Sequence, residues 1–320
     1  MENCFAKGYF GRIAVSFILA ALPAGCADLI PEQPNKGVPA LPATVRVRSN
    51  GRILTISLDD YVLGTVLSEV SPVGETEQAA ARILEVQAVI ARTYAVFELG
   101  RHQAEGFDLC DSTHCQVYDP SRLKTSRFAE SARAAVSRTT GQILTYRGRA
   151  AETLFHADCG GYTDGADAVW GGAPQPYLVA IPDEILPSVH RIWQATISTG
   201  KLRAALTADA RTRAAGAFSD IRIATRDVSG RAAEITLTGD IPVTVRGEDL
   251  RAVINQSLGD RTILSTRFTI EHTPSGFVFT GTGYGHGVGL CQIGAAARAR
   301  RGDTVDAILR QYFPSTTLTR

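Results

Sequence analysis

Net charge is almost absent from this chain, because 33 lysines and arginines offset 32 aspartates and glutamates and leave +1 at pH 7. Without a basic excess there is no electrostatic argument for a nucleic-acid partner. No internal repeat is found along the sequence. Hydrophobic residues nevertheless make up 44% of the 320 positions, which is enough for a sizeable core in one large domain or two ordinary ones.

Long apolar runs are also scarce, and the one near the N-terminus, residues 13–24, is too short to span a bilayer comfortably. Lys7 and Arg12 precede it, which is typical of the positive and apolar regions of a secretion signal. We therefore predict a signal peptide over residues 1–27 and an exported protein in the periplasm or cell envelope.

The end of this segment resembles a lipoprotein cleavage box, Leu-Pro-Ala-Gly-Cys at residues 22–26, although Pro23 departs from the usual pattern. Cys26 would carry the lipid and hold the protein at the membrane. Ordinary cleavage after Ala27 is the alternative. Residues 28–44 contain several prolines and predict an extended, proline-rich tether.

Cysteine is scarce as well, with six in the chain, and Cys4 and Cys26 belong to the export segment. In an oxidising compartment the remaining cysteines predict disulfides, and metal binding is the competing interpretation. These remaining residues are Cys110, Cys115, Cys159 and Cys291.

Short strand patterns with interspersed helices fill the body of the chain, residues 45–320, which we predict to be one domain. The mixture predicts an α+β fold: a β-rich body with one long N-terminal helix, residues 77–99, and a C-terminal helix after a glycine-rich loop. Asn50-Gly51 lies between two alternating segments and predicts a hairpin. Residues 151–156 are predicted to form a further strand.

Glycine is concentrated in residues 283–295, where four glycines alternate with other residues around His286. Glycine lets a backbone adopt φ > 0 and approach other groups closely. The run predicts a loop that presents backbone amides and one imidazole at the start of a helix. A plain turn between a strand and a helix is the alternative, and the joint presence of the glycines, His286 and Gln292 disfavours it.

This glycine run resembles a signature of the stage II sporulation protein D family, also called the amidase-enhancer family. Residues 61–69 with 86–95, and residues 155–163 with Val169-Trp170, resemble two further motifs of that family in the same order. The resemblance implies a lytic transglycosylase that cleaves peptidoglycan glycan strands. The alternative that it implies is a non-catalytic, glycan-binding enhancer of a cell-wall amidase.

Glu69 is the candidate catalytic residue. It follows apolar Val66-Leu67, and a carboxyl group beside apolar groups can hold a proton near neutral pH, as a general acid needs. From the residues alone a solvated glutamate at a helix end is the stronger interpretation, and the resemblance reverses it. Glu75 and Glu77 lie close in sequence and leave open which carboxylate acts.

The resemblance also implies that residues of the long helix and of the glycine run bind the glycan. Arg92 would lie near Glu69, where it binds the glycan or holds a carboxylate. Core packing and structural hydrogen bonding are the alternatives for these side chains. The predicted glycan-binding residues are Arg92, Tyr94, His156, Tyr284, His286 and Gln292.

A polar loop carries His102, Cys110, His114 and Cys115, two imidazoles and two thiols that suit a tetrahedral zinc site. The spacing is not that of a zinc finger, so a Cys110–Cys115 disulfide fits the sequence equally well. The resemblance favours zinc, and four protein ligands would make the metal structural. An open coordination position would instead favour a zinc hydrolase.

Cys159 and Cys291 lie far apart in sequence, each in a glycine-flanked loop of the implied cleft. A disulfide between them would join the two loops, and we predict this bond. Two buried free thiols are the alternative.

Overall fold

The structure is a computed structural model and describes residues 40–183, 191–213 and 218–320. The predicted signal peptide, residues 1–27 with Cys26, lies outside the described residues. So does most of the predicted tether, of which residues 40–44 are described. Among the residues that are described, no helix combines the length and the apolar character needed to cross a membrane.

The described chain mixes helices with small sheets, so the predicted α+β class is confirmed. The helices are α1 (Leu58–Glu69), α2 (Glu77–Phe97), α3 (Arg122–Thr125), α4 (Ala129–Arg138), α5 (Ala166–Trp170), α6 (Thr199–Ala208), α7 (Gly247–Leu258), α8 (Gln292–Arg301) and α9 (Val305–Tyr312). The strands of the first half are β1 (Thr44–Ser49), β2 (Arg52–Ser57), β3 (Leu109–Cys110), β4 (Ile143–Tyr146), β5 (Arg149–Ala150) and β6 (Phe155–His156). Those of the second half are β7 (Ile192–Ile197), β8 (Asp220–Arg226), β9 (Ala232–Thr238), β10 (Val243–Arg246), β11 (Phe268–Thr273), β12 (Gly276–Thr282), β13 (Leu290–Cys291) and β14 (Thr317–Thr319).

Helix α2 is the longest helix of the described chain, and it begins where the Thr76 hydroxyl accepts a hydrogen bond from the Ala79 amide. One face packs in an N-terminal core with α1 and α4, and another packs in a central core with α8 and α9. The N-terminal core includes Val45, Val62, Val66, Leu84, Ala91 and Ala95. The central core includes Val89, Ile90, Leu144, Val288, Leu290, Leu309 and Phe313.

Helix α2 coincides with the predicted helix at residues 77–99, except that it ends at Phe97. The description of that helix as N-terminal is not supported, because α1 precedes it and residues 1–39 are outside the described part. The other end of the prediction fits, since α8 directly follows the glycine-rich loop.

The predicted hairpin is formed by β1 and β2, which pair antiparallel. Thr44 lies opposite Ser57 at one end of the ladder, and Ser49 lies opposite Arg52 at the other. Its turn residues Asn50 and Gly51 have φ of 50° and 74°. Two successive left-handed residues match the twist of the flanking strands, which is why Asn-Gly is favoured there.

The described residues between 192 and 282 form an insert with its own core, called here the insert core. It contains the sheets β10-β9-β8 and β11-β12-β7 together with α6 and α7. The insert core includes Leu202, Phe218, Ile235, Leu250, Ile254 and Phe277.

The insert separates two short strands that pair with each other. Strand β6 lies parallel to β13, with Phe155 opposite Leu290 and His156 opposite Cys291. The predicted strand at residues 151–156 is therefore wrong in its extent, because only its last two residues pair and their partner is far away in the chain. The local hairpin uses β5 instead, which pairs with β4.

Candidate active site at the end of helix α1

Glu69 is the last residue of α1, and its side chain is half-buried. The backbone amide of Val117 donates a hydrogen bond to Oε1 of Glu69 at 2.6 Å. Burial raises the pKa of Glu69 to about 7, although the Val117 hydrogen bond opposes that rise. The carboxyl group therefore gains and loses a proton near neutral pH, as a group that acts first as acid and then as base must do.

Val117 is held in place because the segment after the Cys/His loop lies along α1. The ring of Tyr118 packs directly on Gly64, where an added Cβ would lie 2.4 Å from a ring carbon. The same ring stacks on Tyr61 with centroids 5.5 Å apart, and the amide of Asp119 donates to the Gly64 carbonyl at 3.2 Å. Sequence reasoning missed this pair, although a glycine within a helix signals close approach.

Gln292, the first residue of α8, reaches the same place. Its side-chain amide donates to the backbone carbonyl of Glu69 at 3.3 Å and to Oε1 of Gln87 at 3.4 Å. The structure therefore brings the predicted residues Gln292 and Glu69 together across α2. Sequence reasoning did not single out Gln87 as a site residue.

A cavity of about 190 Å³ lies beside the end of α1. Leu67 and Val70, the neighbours of Glu69 in sequence, line it and Arg122 adds a positive charge, while Glu69 itself is not one of the lining residues. The other lining residues are Ser71, Pro72, Thr125, Ser126 and Phe128. An apolar wall with one guanidinium and several hydroxyls suits a polar ligand that carries a carboxylate.

Glu75, one of the two alternative carboxylates, is already paired. Nε and Nη2 of Arg300 donate to its two carboxylate oxygens at 2.7 and 2.5 Å. Glu77 lies in the first turn of α2, where a negative charge is stabilised by the helix dipole. Glu69 is the strongest candidate acid, because its side chain is half-buried and burial raises its pKa.

Arg92 does not lie near Glu69. Its side chain has no exposed surface, and Nε and Nη2 donate to Oδ1 of Asp59 at 3.2 and 2.9 Å. Nη1 donates to the carbonyls of Thr139 and Gln142. Asp59 is in the first turn of α1, about 15 Å along the helix from Glu69 at 1.5 Å per residue. The expected position of Arg92 is thus corrected: it joins α1 to the end of α4.

Tyr94 is also buried, at 4% exposure in the N-terminal core. Its hydroxyl accepts a hydrogen bond from Nη1 of Arg101 at 3.2 Å. Burial raises the pKa of Tyr94 well above its ordinary value. The arrangement fits core packing, the alternative interpretation for this residue.

His286 in the glycine-rich loop uses both ring nitrogens. Nδ1 accepts from the Val288 amide and Nε2 donates to the Phe155 carbonyl, both at 3.1 Å. Burial, together with the positive charges of Arg251 and Arg231, lowers the pKa of His286 to about 3. Because the imidazole stays neutral with both nitrogens occupied, it fixes the loop to β6 and is poorly suited to transfer protons.

The remaining members of the predicted set, His156 and Tyr284, lie around this loop, and Trp170 lies beside them. His156 is buried and meets the His286 ring edge-on at 5.4 Å between centroids. Tyr284 is half-buried and exchanges backbone hydrogen bonds with Asp158. Trp170 is 41% exposed and its ring lies 5.1 Å from that of His286, so it offers a partly exposed aromatic face. No described contact joins these three residues to Glu69.

The four predicted metal ligands converge. One ligand atom each from His102, Cys110, His114 and Cys115 lies within 4.8 Å of the others. Nε2 of His102 is 3.5 Å from the Cys115 sulfur, and its Nδ1 donates to Glu105 at 2.6 Å. A carboxylate behind a histidine commonly orients it towards a metal, so the donor set fits zinc. Cys110 and Cys115 are free thiols in the structure.

Cys159 and Cys291 are likewise free and fully buried. The predicted disulfide between them is not formed. The two loops do meet, because one ligand atom each from Cys159, Cys291 and His156 lies within 4.8 Å of the others.

Comparison with known proteins identifies the family. A family model described as Stage II sporulation protein matches residues 48–146, which include α1, α2 and the Cys/His loop. Stage II sporulation protein D of Bacillus amyloliquefaciens is 30% identical over 279 residues, which covers 83% of this chain and 75% of that protein. The chain belongs to the stage II sporulation protein D and amidase-enhancer family. A second model, described as a domain of unknown function, matches residues 188–289 and so coincides with the insert.

Two further relatives of this chain are longer than the chain itself. An uncharacterised protein of Brachyspira hyodysenteriae is 33% identical over 259 residues, and the amidase enhancer of Bacillus subtilis is 27% identical over 283 residues. The matches cover 81% and 74% of this chain. The chain spans 65% of the first relative and 38% of the second.

Proposed function

We propose that this protein is an exported lytic transglycosylase that cleaves peptidoglycan glycan strands, with Glu69 as the single catalytic residue. The observation that carries the proposal is the half-buried carboxyl group of Glu69, which accepts a hydrogen bond from the Val117 amide and whose pKa burial raises to about 7. Membership in the stage II sporulation protein D family supports a role in the cell wall. Attachment to the membrane through a lipid on Cys26 is part of the same proposal.

The reaction needs one group that gives a proton and then takes one. Protonated Glu69 donates its proton to the oxygen of the scissile glycosidic bond, which breaks as the leaving sugar departs. The C6 hydroxyl of the muramic acid then attacks the anomeric carbon, and ionised Glu69 removes its proton. The product is an anhydro sugar, Glu69 ends protonated as it began, and no water or second carboxylate takes part, unlike in hydrolytic glycosidases.

The Val117 amide has a definite part in this cycle. Its 2.6 Å hydrogen bond to Oε1 stabilises the ionised carboxylate that forms when the proton leaves. Burial acts in the opposite direction and favours the protonated form. The balance keeps both protonation states accessible near neutral pH.

We propose zinc as a structural cofactor held by His102, Cys110, His114 and Cys115. Bound there, it would cross-link the loop that leads directly into Val117 and so preserve the hydrogen bond to Glu69. Four converging protein ligands leave no position for substrate, which counts against a zinc hydrolase.

The second candidate function is a non-catalytic, glycan-binding partner of a cell-wall amidase. It is favoured by the 27% identity to a protein named amidase enhancer. The half-buried Tyr284 of the glycine-rich loop and the partly exposed Trp170 would then serve glycan binding alone, with no proton transfer by Glu69.

The deciding experiment incubates purified wild-type protein, Glu69→Gln and Glu75→Gln with intact and with peptide-free glycan strands. Mass analysis then looks for anhydro-muramic ends. We expect them from wild type and Glu75→Gln but not from Glu69→Gln, because amide for carboxyl preserves shape and removes the proton donor. No product from any of the three, with a faster amidase reaction when wild type is added, would favour the enhancer function.

A further inference from the structure

We infer a second metal site in this protein, formed by His156, Cys159 and Cys291 in the central core, which binds a zinc ion or a similar thiolate-seeking divalent cation. This inference does not depend on the proposed cleavage activity. It is also separate from the Cys/His loop at residues 102–115.

The fold itself assembles the three donors. Strands β6 and β13 pair in parallel with His156 opposite Cys291, so these two side chains leave the ladder on the same face. Cys159 follows β6 after a short turn. One ligand atom from each of the three lies within 4.8 Å of the others, and all three residues are buried. Such a cluster suits a metal bound on one side of a two-strand ladder.

The imidazole of His156 is oriented for a metal. Its Nδ1 lies 3.1 Å from the carbonyl oxygen of Val288 and therefore carries the hydrogen that it donates. That tautomer leaves a lone pair on Nε2, which is buried and has no hydrogen-bond partner in the described part of the chain. A buried polar atom without a partner destabilises the folded state. Hydrogen bonding by the other ring nitrogen to a carbonyl is how metal-bound histidines are commonly held.

Backbone amides point at both sulfurs. The Cys291 sulfur lies 3.2 Å from the amide of Cys159 and 3.3 Å from that of Gly294, in the first turn of α8. The amide of Gly161 lies 3.4 Å from the Cys159 sulfur. Such donors stabilise thiolates, the form in which cysteine binds metals. Two neighbouring thiolates in an apolar core need a cation for compensation.

A further oxygen donor lies beside the cluster. Oδ2 of Asp183 is 3.5 Å from the Cys159 sulfur. The same carboxylate accepts hydrogen bonds from Tyr312 at 2.8 Å and from Arg298 at 3.2 Å, which fix its orientation. Asp183 contacts Cys159 but is not within 4.8 Å of all three donors, so it is a hydrogen-bonded neighbour of the site and not one of its ligands.

A Cys159–Cys291 disulfide is the rival arrangement. It would consume both thiols, but it would leave Nε2 of His156 without a partner and direct three amides at weakly accepting sulfurs. A metal accounts for the imidazole, the amides and the thiols together. Since Gln292 directly follows Cys291, the metal would also fix the start of α8, from which Gln292 reaches the Glu69 carbonyl.

The test measures metal content in the full chain. In a Cys110→Ser background, which disables the loop site, protein purified with zinc in the medium should retain about one equivalent, the stoichiometry of a single site. Adding Cys159→Ser should remove it. Zinc-free Cys110→Ser protein, or a peptide linked through Cys159 and Cys291 in non-reducing maps of wild type, would overturn the inference.

A second measurement avoids substitution within the site, in case Cys159→Ser does not fold. Cys110→Ser protein is loaded with cobalt in place of zinc and its absorption spectrum recorded. Thiolate-to-cobalt charge-transfer absorption supports the site. Its absence from folded protein exposed to cobalt contradicts it.

Discussion

The amide nitrogen of Val117 lies 2.6 Å from Oε1 of Glu69 and joins the loop after the Cys/His cluster to the end of α1. Val117 is two positions beyond Cys115, so whatever fixes the Cys/His loop also fixes the hydrogen bond to the candidate acid. The proposed metal and the proposed catalytic residue are therefore connected through one short stretch of backbone.

The first prediction concerns the pH dependence of strand cleavage. The proton donor must be protonated at the start of the reaction, and burial raises the pKa of Glu69 to about 7. Cleavage per enzyme should therefore decrease about tenfold for each pH unit above that value, as the protonated fraction falls. The measurement is the initial rate of anhydro-muramic product formation between about pH 5 and 9, at constant ionic strength. A rate that stays level across this range would contradict the role of Glu69.

The second prediction concerns stability, and it tests the raised pKa of Glu69 without relying on cleavage activity. The folded-state pKa of Glu69 is raised from its ordinary value of 4.5 to about 7, so its stabilising effect is complete below 4.5 and is lost as pH rises to 7. Relative to Glu69→Gln, wild type should lose at most roughly 3 kcal/mol of unfolding free energy over that window, at 1.4 kcal/mol per pKa unit.

Denaturant titrations at a series of pH values measure that difference. Burial and the nearby Asp227 also raise the pKa of Asp164 to about 7, but this residue is the same in both proteins and cancels in the comparison. Parallel stability curves for wild type and Glu69→Gln would show that Glu69 has an ordinary pKa.

The third prediction concerns the contact between Gly64 and Tyr118. Gly64→Ala would place a Cβ 2.4 Å from the Tyr118 ring, which must move and carry Val117 with it. We expect a loss of about 1–3 kcal/mol, typical of overpacking, and a larger relative loss of cleavage. Gly200→Ala in α6 is the matched control, since it meets no atom within 4 Å and should be neutral or slightly stabilising. Equal effects of the two substitutions would contradict the packing argument.

The fourth prediction concerns metal at the Cys/His loop. Cys110→Ser should lose one equivalent of zinc and lower the melting temperature, because binding free energy adds to folding free energy. It should also slow cleavage, because the hydrogen bond from Val117 to Glu69 is less firmly held. The pH above which cleavage falls should shift by no more than about one unit. Metal analysis and calorimetry check it. A Cys110–Cys115 bond in zinc-free wild type would refute it.

The fifth prediction tests the structural role of Arg92. Arg92→Met should lower stability by about 1–3 kcal/mol, since it leaves the carbonyls of Thr139 and Gln142 without their donor. The partly exposed Asp59 adds little to this cost, because water solvates it. Glycan affinity of the folded fraction should stay the same as in wild type. A selective loss of affinity at unchanged stability would restore the glycan-binding role.

The elements predicted well from the sequence are those whose cause is local. Asn50-Gly51 sets its own hairpin, and the helical period at residues 77–99 suffices for α2. The hydrogen-bond partner of Glu69 is Val117, which is distant in sequence, so this contact had no local signal and the catalytic role of Glu69 was favoured only through the resemblance. Arg92 was misplaced for the same reason, because its partner Asp59 belongs to another helix.

Long-range pairing also explains the wrong strand boundary. The sequence favoured a continuous strand over residues 151–156, but β6 is short because its partner is only the two residues of β13, on the far side of the insert. A pairing across that separation has no local signal. The sequence predicted that the loops of Cys159 and Cys291 meet. That the His156 imidazole joins them could be seen only from the pairing register of β6 and β13.

The insert between β6 and β13 has a consequence for biosynthesis. As the ribosome makes the chain from its N-terminus, Leu144 and the face of α2 emerge long before Val288, Leu290, Leu309 and Phe313, which complete the central core. The insert core closes meanwhile with its own residues. The half-made apolar surface beside α2 must therefore remain uncovered until nearly the whole protein has left the exit tunnel, which makes it the surface most prone to aggregation during synthesis.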